Sequence, residues 1–213
     1  VTMEDLHDMP QQLYEGKITK LREKTQGQLV IKEYPTASAH SGHFKSLMNE
    51  LALKKSFRPD VIFIDYLNIC ASSRFKGGNI SSYFYVKAIA EELRGLAVEF
   101  NVPIFSATQT TRTGYVSTDI GLEDTSESFG LPATADFMFA LISNEELEAL
   151  GQMKVKQLKN RYNDPSINRA FIVGVDRAKM RLYDVQQKAG EIVDANQVDE
   201  KEDAYDKFSD FKI

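Results

Sequence analysis

The apolar run Val61-Ile62-Phe63-Ile64, which ends in Asp65, is the feature that most constrains the fold of this chain. Four bulky apolar residues in succession predict a strand buried on both faces, and such strands occur in parallel sheets covered by helices. In open α/β sheets, ligands bind beyond the carboxyl ends of the strands. Asp65 is therefore placed to bind a metal ion that carries phosphates, although an acid that only caps the next loop gives the same pattern.

Helix and strand patterns alternate along most of the chain. The predicted helices cover residues 4–25, 42–57, 83–100 and 144–150, the last with Ser143 and Glu146 as a capping box. The predicted strands cover residues 28–34, 61–65, 104–109, 135–142, 152–160, 168–175 and 180–185. The last three strands have no helices between them and predict an antiparallel edge. The sequence therefore predicts an α/β fold with a mixed sheet.

Composition limits the class of protein. The 213 residues, 42% of them hydrophobic, fit one domain with a tail, and no apolar run approaches the length of a membrane-spanning helix. The single Cys70 cannot form an internal disulfide, which suits a reducing cytoplasm. The net charge of −5 argues against a protein coated in nucleic-acid-binding charge, but residues 186–213 hold eight acidic residues and four lysines. Residues 1–185 therefore carry a charge of only −1, which permits a local basic patch. We expect a domain over residues 1–185 and an acidic, disordered tail over residues 186–213.

Three predicted strand ends offer polar groups on one rim of the sheet. They are Asp65, Gln109 and the pair Lys159 and Arg161. A carboxylate can hold a divalent metal, an amide can orient water at a terminal phosphate, and a guanidinium can neutralise charge that develops in the transition state. Each residue also has a structural interpretation, as a loop residue for Gln109 and as a solvated strand face for the two cations. Together they predict a site for a nucleoside triphosphate.

Four segments, taken in order, resemble the DnaB-type replicative DNA helicases with a RecA-like motor, and most of all those of T-even-like bacteriophages. The segments are VIFIDYLNIC, AIAEELRGLAVEFNVPIFSATQTTR, ESFGLPATADFMFAL and KQLKNRYNDP. The resemblance covers roughly residues 1–185 and implies a RecA-like, mostly parallel twisted sheet that is flanked by helices and ends in antiparallel edge strands. It also implies an ATP-dependent helicase of the cytoplasm, the host cytoplasm for a phage protein, with ATP and Mg²⁺ as cofactors.

The resemblance assigns a role to each of the polar strand ends. Asp65 would be the Walker B residue that binds Mg²⁺, and Gln109 would sense the γ-phosphate, so both would contact the nucleotide. Arg161, with Lys159, would reach into the nucleotide site of a neighbouring subunit. A contact of this kind between neighbours is head-to-tail, and head-to-tail interfaces that close give rings. The resemblance therefore implies a homo-oligomeric ring, expected to be a hexamer.

The loops over residues 70–82 and 110–130 would face the central channel of such a ring and grip single-stranded DNA. The expected DNA contacts are cationic side chains and backbone N–H groups, at Arg74, Lys76, Arg112, Ser128 and Gly130. Ordinary loop solubility accounts for the cations equally well. Members of the family often carry a basic residue near position 126, where this chain has Ser126, which weakens the expectation of a DNA contact there.

The sequence contains no phosphate-binding loop of the form G-x-x-x-x-G-K-[ST]. Gly16-Lys17 is followed by Ile18, and Gln11 stands where the first glycine of the motif belongs. In the family, this loop and the catalytic Glu lie upstream of the part matched here. The resemblance therefore implies the C-terminal part of an ATPase domain, which by itself should hydrolyse ATP poorly or not at all.

Two alternative functions stay open on sequence grounds. One is a RecA-type recombination or accessory protein that binds DNA as a filament, and the other is a non-catalytic module for oligomerisation or DNA binding. The Lys-x-Arg pair in KNRYNDP favours the ring helicase over the first, whereas the missing phosphate-binding loop supports the second.

The acidic tail contains three aromatic residues, Tyr205, Phe208 and Phe211. This composition is typical of a tethered peptide that docks on basic proteins. A polymerase, a helicase loader or a single-strand-binding protein would be such a partner, and the resemblance adds primase. A tail that only increases solubility is the simpler interpretation.

Overall fold

The computed structural model describes residues 1–75, 80–110, 120–122, 130–164 and 166–185. The α-helices are α1 (Met3–His7), α2 (Gln11–Lys24), α3 (Ser41–Lys55), α4 (Ser82–Phe100), α5 (Gly130–Thr134) and α6 (Glu145–Ala149). The strands are β1 (Ile62–Ile64), β2 (Ile104–Ser106), β3 (Phe137–Ile142), β4 (Gln152–Asn160), β5 (Ala170–Asp176) and β6 (Arg181–Asp184). Short 3₁₀ helices cover Leu67–Ile69 and Arg177–Lys179. None of these helices, within the described ranges, is long and apolar enough to cross a membrane.

The strands form one parallel pair and one antiparallel sheet. β1 pairs with β2 in parallel, with Phe63 opposite Phe105. β3, β4, β5 and β6 form a four-stranded sheet in chain order, and every neighbouring pair in it is antiparallel. The predicted combination of parallel strands with later antiparallel strands is confirmed, and the parallel pairing within the described ranges is that of β1 with β2.

Helix α4 is central to the hydrophobic core because its apolar residues recur at helical spacing on one face. Ile89 on this face is 1% exposed and packs in one cluster with Leu67 and Leu131. Leu96, two turns further along, packs in a second cluster with Met48 of α3. The helix therefore holds the segment after β1 and the start of α5 in fixed positions.

The prediction that residues 61–65 are buried on both faces is wrong. Phe63 is 73% exposed, and its ring stacks on that of Phe105 with the centroids 5.4 Å apart. On the opposite face, Ile62 and Ile64 pack against the two core clusters around α4. A strand is buried on both faces only where helices cover both sides of its sheet, and within the described residues helices cover the Ile62 and Ile64 side alone.

The prediction of a strand over residues 28–34 is also wrong. The segment forms no strand, and Leu29 and Ile31 are each 83% exposed. A strand depends on pairing and packing with its neighbours more than on its own propensity. Since no described strand pairs with this segment, its apolar pattern is not sufficient to form one.

The first predicted helix divides into α1 and α2 at Pro10. Proline disfavours helical backbone in the residue before it, and Pro10 is the N-cap of α2. Gly16-Lys17 lies inside α2. These residues therefore form part of a regular helix and not a phosphate-binding loop.

The prediction that Ser143 and Glu146 form the capping box of α6 is wrong. The N-cap is Asn144, whose Oδ1 accepts a hydrogen bond from the Leu147 backbone N–H at 2.8 Å. Ser143 instead donates to the Glu148 carboxylate at 3.1 Å. Asparagine is as good an N-cap as serine, so the helix begins one residue later than predicted.

Candidate functional site

The carboxyl ends of β1 and β2 lie side by side. Ser106 Oγ donates to the Ile64 carbonyl at 2.8 Å, and the Leu67 backbone N–H donates to the Ala107 carbonyl at 3.2 Å. These bonds extend the parallel pairing beyond the strands themselves. They hold Asp65, which follows β1, next to the segment that follows β2.

Gln109 lies beside the residue that follows Asp65. Its Nε2 donates to Tyr66 Oη at 3.2 Å, and Thr108 Oγ1 donates to Asn68 Oδ1 at 2.8 Å, which links the same two segments a second time. The side chains of Asp65 and Gln109 are both exposed, so a ligand can reach them. The structure thus brings two of the predicted site residues to one edge.

The Asp65 carboxylate makes no hydrogen bond or ion pair within the described part of the chain, so its oxygens are free to bind a metal. The described residues contain no group of three or more His, Cys, Asp or Glu that could hold a metal ion. Mg²⁺ suits such a sparse site because it commonly takes one or two carboxylates and completes its octahedral shell with water and phosphate oxygens. Asp65 therefore fits Mg²⁺ that arrives with a nucleotide.

Lys159 and Arg161 lie at the carboxyl end of β4 and reach the end of α5. Lys159 Nζ donates to the Pro132 carbonyl at 2.5 Å, and Arg161 Nη2 donates to the Ala133 carbonyl at 3.1 Å. Burial, and then the neighbouring charge of Arg161, lower the pKa of Lys159. The free carbonyls at a helix end carry partial negative charge and attract both cations.

Asp136, which the sequence did not single out, bridges Arg161 to Arg94 of α4. One carboxylate oxygen lies 2.5 Å from Arg94 Nη1 and the other 3.0 Å from Arg161 Nη1, the latter as an ion pair without hydrogen-bond geometry. Arg94 also donates to the Thr134 carbonyl at 2.9 Å. The only sequence signal was an acid directly before the apolar run of β3, and that signal does not identify its partners.

No hydrogen bond or ion pair among the described residues joins the Asp65 and Gln109 edge to the cluster of Lys159, Arg161 and Asp136. The first group follows the β1–β2 pair and the second lies on the antiparallel sheet. The roles predicted for these residues in nucleotide binding and hydrolysis stay predictions.

Three of the predicted DNA contacts lie outside the described residues: Lys76, Arg112 and Ser128. Arg74 is half exposed, and its Nη1 lies 2.5 Å from the Glu91 carboxylate. Gly130 is buried at the start of α5, where an added Cβ would meet Lys87 Cδ at 2.9 Å. A larger residue there would require the Lys87 side chain to move.

Glu92 of α4 accepts hydrogen bonds from four residues, and sequence reasoning missed it. The donors are Ser41, Ser72, Ser73 and Arg74. Burial acts to raise the pKa of Glu92, but the hydrogen bonds from the serines outweigh it and lower the pKa to about 2. The sequence predicts a loop over residues 70–82, and the structure ties the serines before Arg74 to α4.

The chain is 41% identical over 215 residues to a DnaB-like replicative helicase of Enterobacteria phage T4, in an alignment that covers 97% of this chain and 45% of that protein. It thus spans less than half the length of this curated relative. No family model matches the chain. The identity over nearly all of this chain confirms the predicted resemblance to DnaB-type replicative helicases.

Two solved structures have a similar fold. One, described as an ATPase domain, matches with a TM-score of 0.69 at 16% identity, over 87% of this chain and 66% of that one. A DnaB-like replicative helicase, described together with its interactions with primase, matches with a TM-score of 0.68 at 15% identity, over 87% of this chain and 45% of that one. These matches confirm the predicted α/β, RecA-like fold class.

Proposed function

We propose that this chain, a relative of a DnaB-like replicative helicase, is part of an ATP-driven motor that moves along single-stranded DNA and unwinds the duplex at a replication fork. The observation that carries the proposal is the 41% identity to the phage T4 helicase, because the alignment covers 97% of this chain. Few residues of the chain lie outside that alignment. Hydrolysis would depend on Asp65, Gln109 and Arg161.

Asp65 and Gln109 would serve the nucleotide bound at their own edge. Asp65 would hold Mg²⁺, directly or through water, and the metal would neutralise phosphate charge. Because Gln109 Nε2 donates to Tyr66 Oη, the amide oxygen is left free to accept a hydrogen bond from an attacking water. Tyr66 thus fixes the orientation in which Gln109 can position that water.

Arg161 would serve the nucleotide of a neighbouring subunit. Arg161 lies on the antiparallel sheet whereas Asp65 follows the β1–β2 pair, which supports a role outside its own site. Asp136 and the Ala133 carbonyl hold its guanidinium in one direction. Such an arginine neutralises charge that develops on the transferred phosphoryl group. A head-to-tail ring, proposed here to be a hexamer, would supply this contact at every interface.

The phosphate-binding loop would come from a segment that this sequence does not contain, so the chain alone should hydrolyse ATP poorly. The β/γ-phosphates need the backbone amides and the lysine of such a loop. Primase and a helicase loader are the partners that we propose for the assembled ring, in the host cytoplasm. The solved DnaB-like helicase that is described with its primase interactions supports the choice of primase.

A chimera tests the proposal directly. In it, this chain replaces the matching 45% of the phage T4 helicase. We expect ATPase activity that single-stranded DNA stimulates, and unwinding of a forked duplex. Asp65→Asn in the chimera should abolish both activities while the oligomer, measured by light scattering, still forms.

A chimera that assembles and binds DNA but shows no ATPase activity would contradict the motor and support the non-catalytic module. Stimulated ATPase activity on filaments, without unwinding, would support the recombination-type alternative. The unmatched part of the phage T4 protein alone is the control, because any activity that it shows does not depend on this chain.

A further inference from the structure

We propose that Glu92 is a positioning residue that anchors residues 72–74 to α4 and thereby presents Arg74 to single-stranded DNA. The DNA part of this inference rests on the proposed function, whereas the anchor itself can be measured without DNA. Neither Glu92 nor the serines around it belong to the proposed nucleotide site.

Glu92 contacts the backbone of the segment as well as its side chains. The Ser73 N–H lies 2.9 and 3.0 Å from the two carboxylate oxygens, and the Arg74 N–H lies 3.3 Å from one of them. These contacts fix the backbone of Ser73 and Arg74 against α4. Hydrogen bonds to a charged acceptor are stronger than those between neutral groups, so one carboxylate is sufficient for this anchor.

Hydroxyl groups of the segment itself and of α3 complete the cluster. Ser72 Oγ and Ser73 Oγ donate to Glu92 at 2.6 and 2.7 Å, and Ser41 Oγ, at the start of α3, donates at 2.8 Å. The Ser72 backbone N–H also donates to Tyr85 Oη on α4 at 3.1 Å. The segment is therefore fixed between two helices, and Ser72 is 5% exposed.

Neutral hydrogen-bond donors stabilise the charge of Glu92, and the Arg74 guanidinium does not form an ion pair with it. That guanidinium pairs with Glu91, with the two side chains 51% and 38% exposed. An exposed ion pair of this kind contributes little stability, so a DNA phosphate can replace the carboxylate. Glu92 would fix the backbone of Arg74 while Glu91 holds its side chain until DNA binds.

The anchored segment forms one wall of a groove with the features of a single-strand binding surface. The groove is lined by Arg74, Phe75, Phe84, Lys87, Ala88 and Glu91. Proteins that bind single strands without sequence preference combine cations for the phosphates with aromatic rings for the bases. Phe84 is 59% exposed and is available for such stacking.

Amide hydrogen exchange on the chain itself tests the anchor. In Glu92→Gln, we expect the Ser73 and Arg74 amides to exchange at least about tenfold faster than in the wild-type chain. Glu99→Gln is the matched control, because Glu99 lies on the same helix and pairs with Lys45 at 2.5 Å, away from the segment. Unchanged exchange in Glu92→Gln would overturn the anchor.

Fluorescence anisotropy with a labelled oligo-dT tests the presentation of Arg74. Glu92→Gln should weaken binding about three- to tenfold and lower the salt dependence by roughly the 0.7 per phosphate contact expected for single strands. The double variant with Arg74→Ala should bind no more weakly than Arg74→Ala alone. If the two substitutions weakened oligo-dT binding additively, the link between Glu92 and Arg74 would be overturned. A loss of binding that comes only from a disturbed fold does not depend on the Arg74 side chain.

The two readouts separate the anchor from the DNA-binding function. If the wild-type chain does not bind oligo-dT, the presentation of Arg74 to DNA is overturned together with the proposed function, and the exchange rates still decide the anchor. If Glu92→Gln does not fold, the double variant Ser41→Ala, Ser72→Ala replaces it. This variant removes two hydroxyl donors and keeps the charge, and the same faster exchange is expected.

Discussion

Arg161 Nη1 lies 3.0 Å from Asp136 Oδ1, on a carboxylate whose other oxygen holds Arg94. The arginine proposed to act on a neighbour's nucleotide is therefore paired within its own chain. Because Asp136 retains Arg94 when Arg161 is removed, the pairing orients Arg161 without making the fold depend on it. This arrangement separates the catalytic effect of a substitution from its effect on stability.

Arg161→Ala in the chimera should lower kcat for ATP hydrolysis by about a thousandfold or more, the range typical of arginine fingers. Nucleotide binding should largely survive, because the proposed contact of Arg161 is with the nucleotide of a neighbouring subunit. The free energy of unfolding should change by less than about 1 kcal/mol, because the lost ion pair is partly exposed and Asp136 keeps its pairing with Arg94. Steady-state kinetics, nucleotide binding by fluorescence and thermal melting measure the three quantities.

Arg177→Ala is the matched control, because Arg177 also pairs with one acid, Glu148 at 3.2 Å, on an exposed surface. It should leave kcat unchanged. If nucleotide binding and turnover fell together in Arg161→Ala, the proposed role in a neighbouring subunit would be wrong.

Asp65→Asn should abolish Mg²⁺-dependent hydrolysis in the chimera. The substitution keeps the size of the side chain but removes the charge on which a hard divalent cation depends. Asp60→Asn, before β1, is the control and should retain activity. Circular dichroism should show the same fold for both variants, and hydrolysis that survives in Asp65→Asn would exclude the metal role.

Tyr66→Phe removes the hydroxyl that accepts from Gln109 Nε2 at 3.2 Å. The amide is then free to rotate, so we expect kcat to fall about three- to tenfold with KM for ATP unchanged. Gln109→Ala should lower kcat further, and adding Tyr66→Phe to it should have no additional effect. An additive double variant would mean that Tyr66 acts on something other than Gln109.

The sequence was sufficient to predict the bounds of elements whose stabilising contacts follow from local periodicity. α4 begins one residue before its predicted start and ends at Phe100 as predicted, because apolar residues at helical spacing on one face set both its length and its burial. β4 covers residues 152–160 as predicted. The errors concern long-range partners. In the described ranges, residues 28–34 have the right pattern but no neighbouring strand, and no helix covers Phe63.

The candidate site shows the same division. Asp65 and Gln109 could be predicted because each follows an apolar strand, and parallel pairing brings such ends together. Asp136 and Glu92 could not, since each owes its position to residues far away in the chain, Arg161 for the first and Ser41 for the second. An acid on a helix or before a strand is most often an exposed surface residue, and only the fold identifies its partners.

Glu92 gives the chain a specific sensitivity to acid. Its pKa falls from an ordinary 4.5 to about 2 on folding, because the serine hydrogen bonds outweigh burial. A carboxylate with a lowered folded pKa contributes its stability above pH 4.5 and loses it as the pH falls toward about 2. The described groups that donate hydrogen bonds to Glu92 are neutral hydroxyls and amides from α3 and residues 72–74, so no titration among these donors offsets this loss.

Thermal melts of the chain between pH 7 and pH 2.5 measure this contribution. At pH 7, Glu92→Gln should lower the free energy of unfolding by about 1–2 kcal/mol, the range for a lost charge-assisted hydrogen bond after solvent screening. The difference from the wild-type chain should shrink as the pH falls below about 4.5, because the wild-type carboxylate then loses its advantage. Other acids with lowered pKa values, such as Asp164 and Asp176, titrate in both proteins and cancel in the comparison. A difference that stays constant down to pH 2.5 would mean that the hydrogen bonds do not depend on the charge of Glu92.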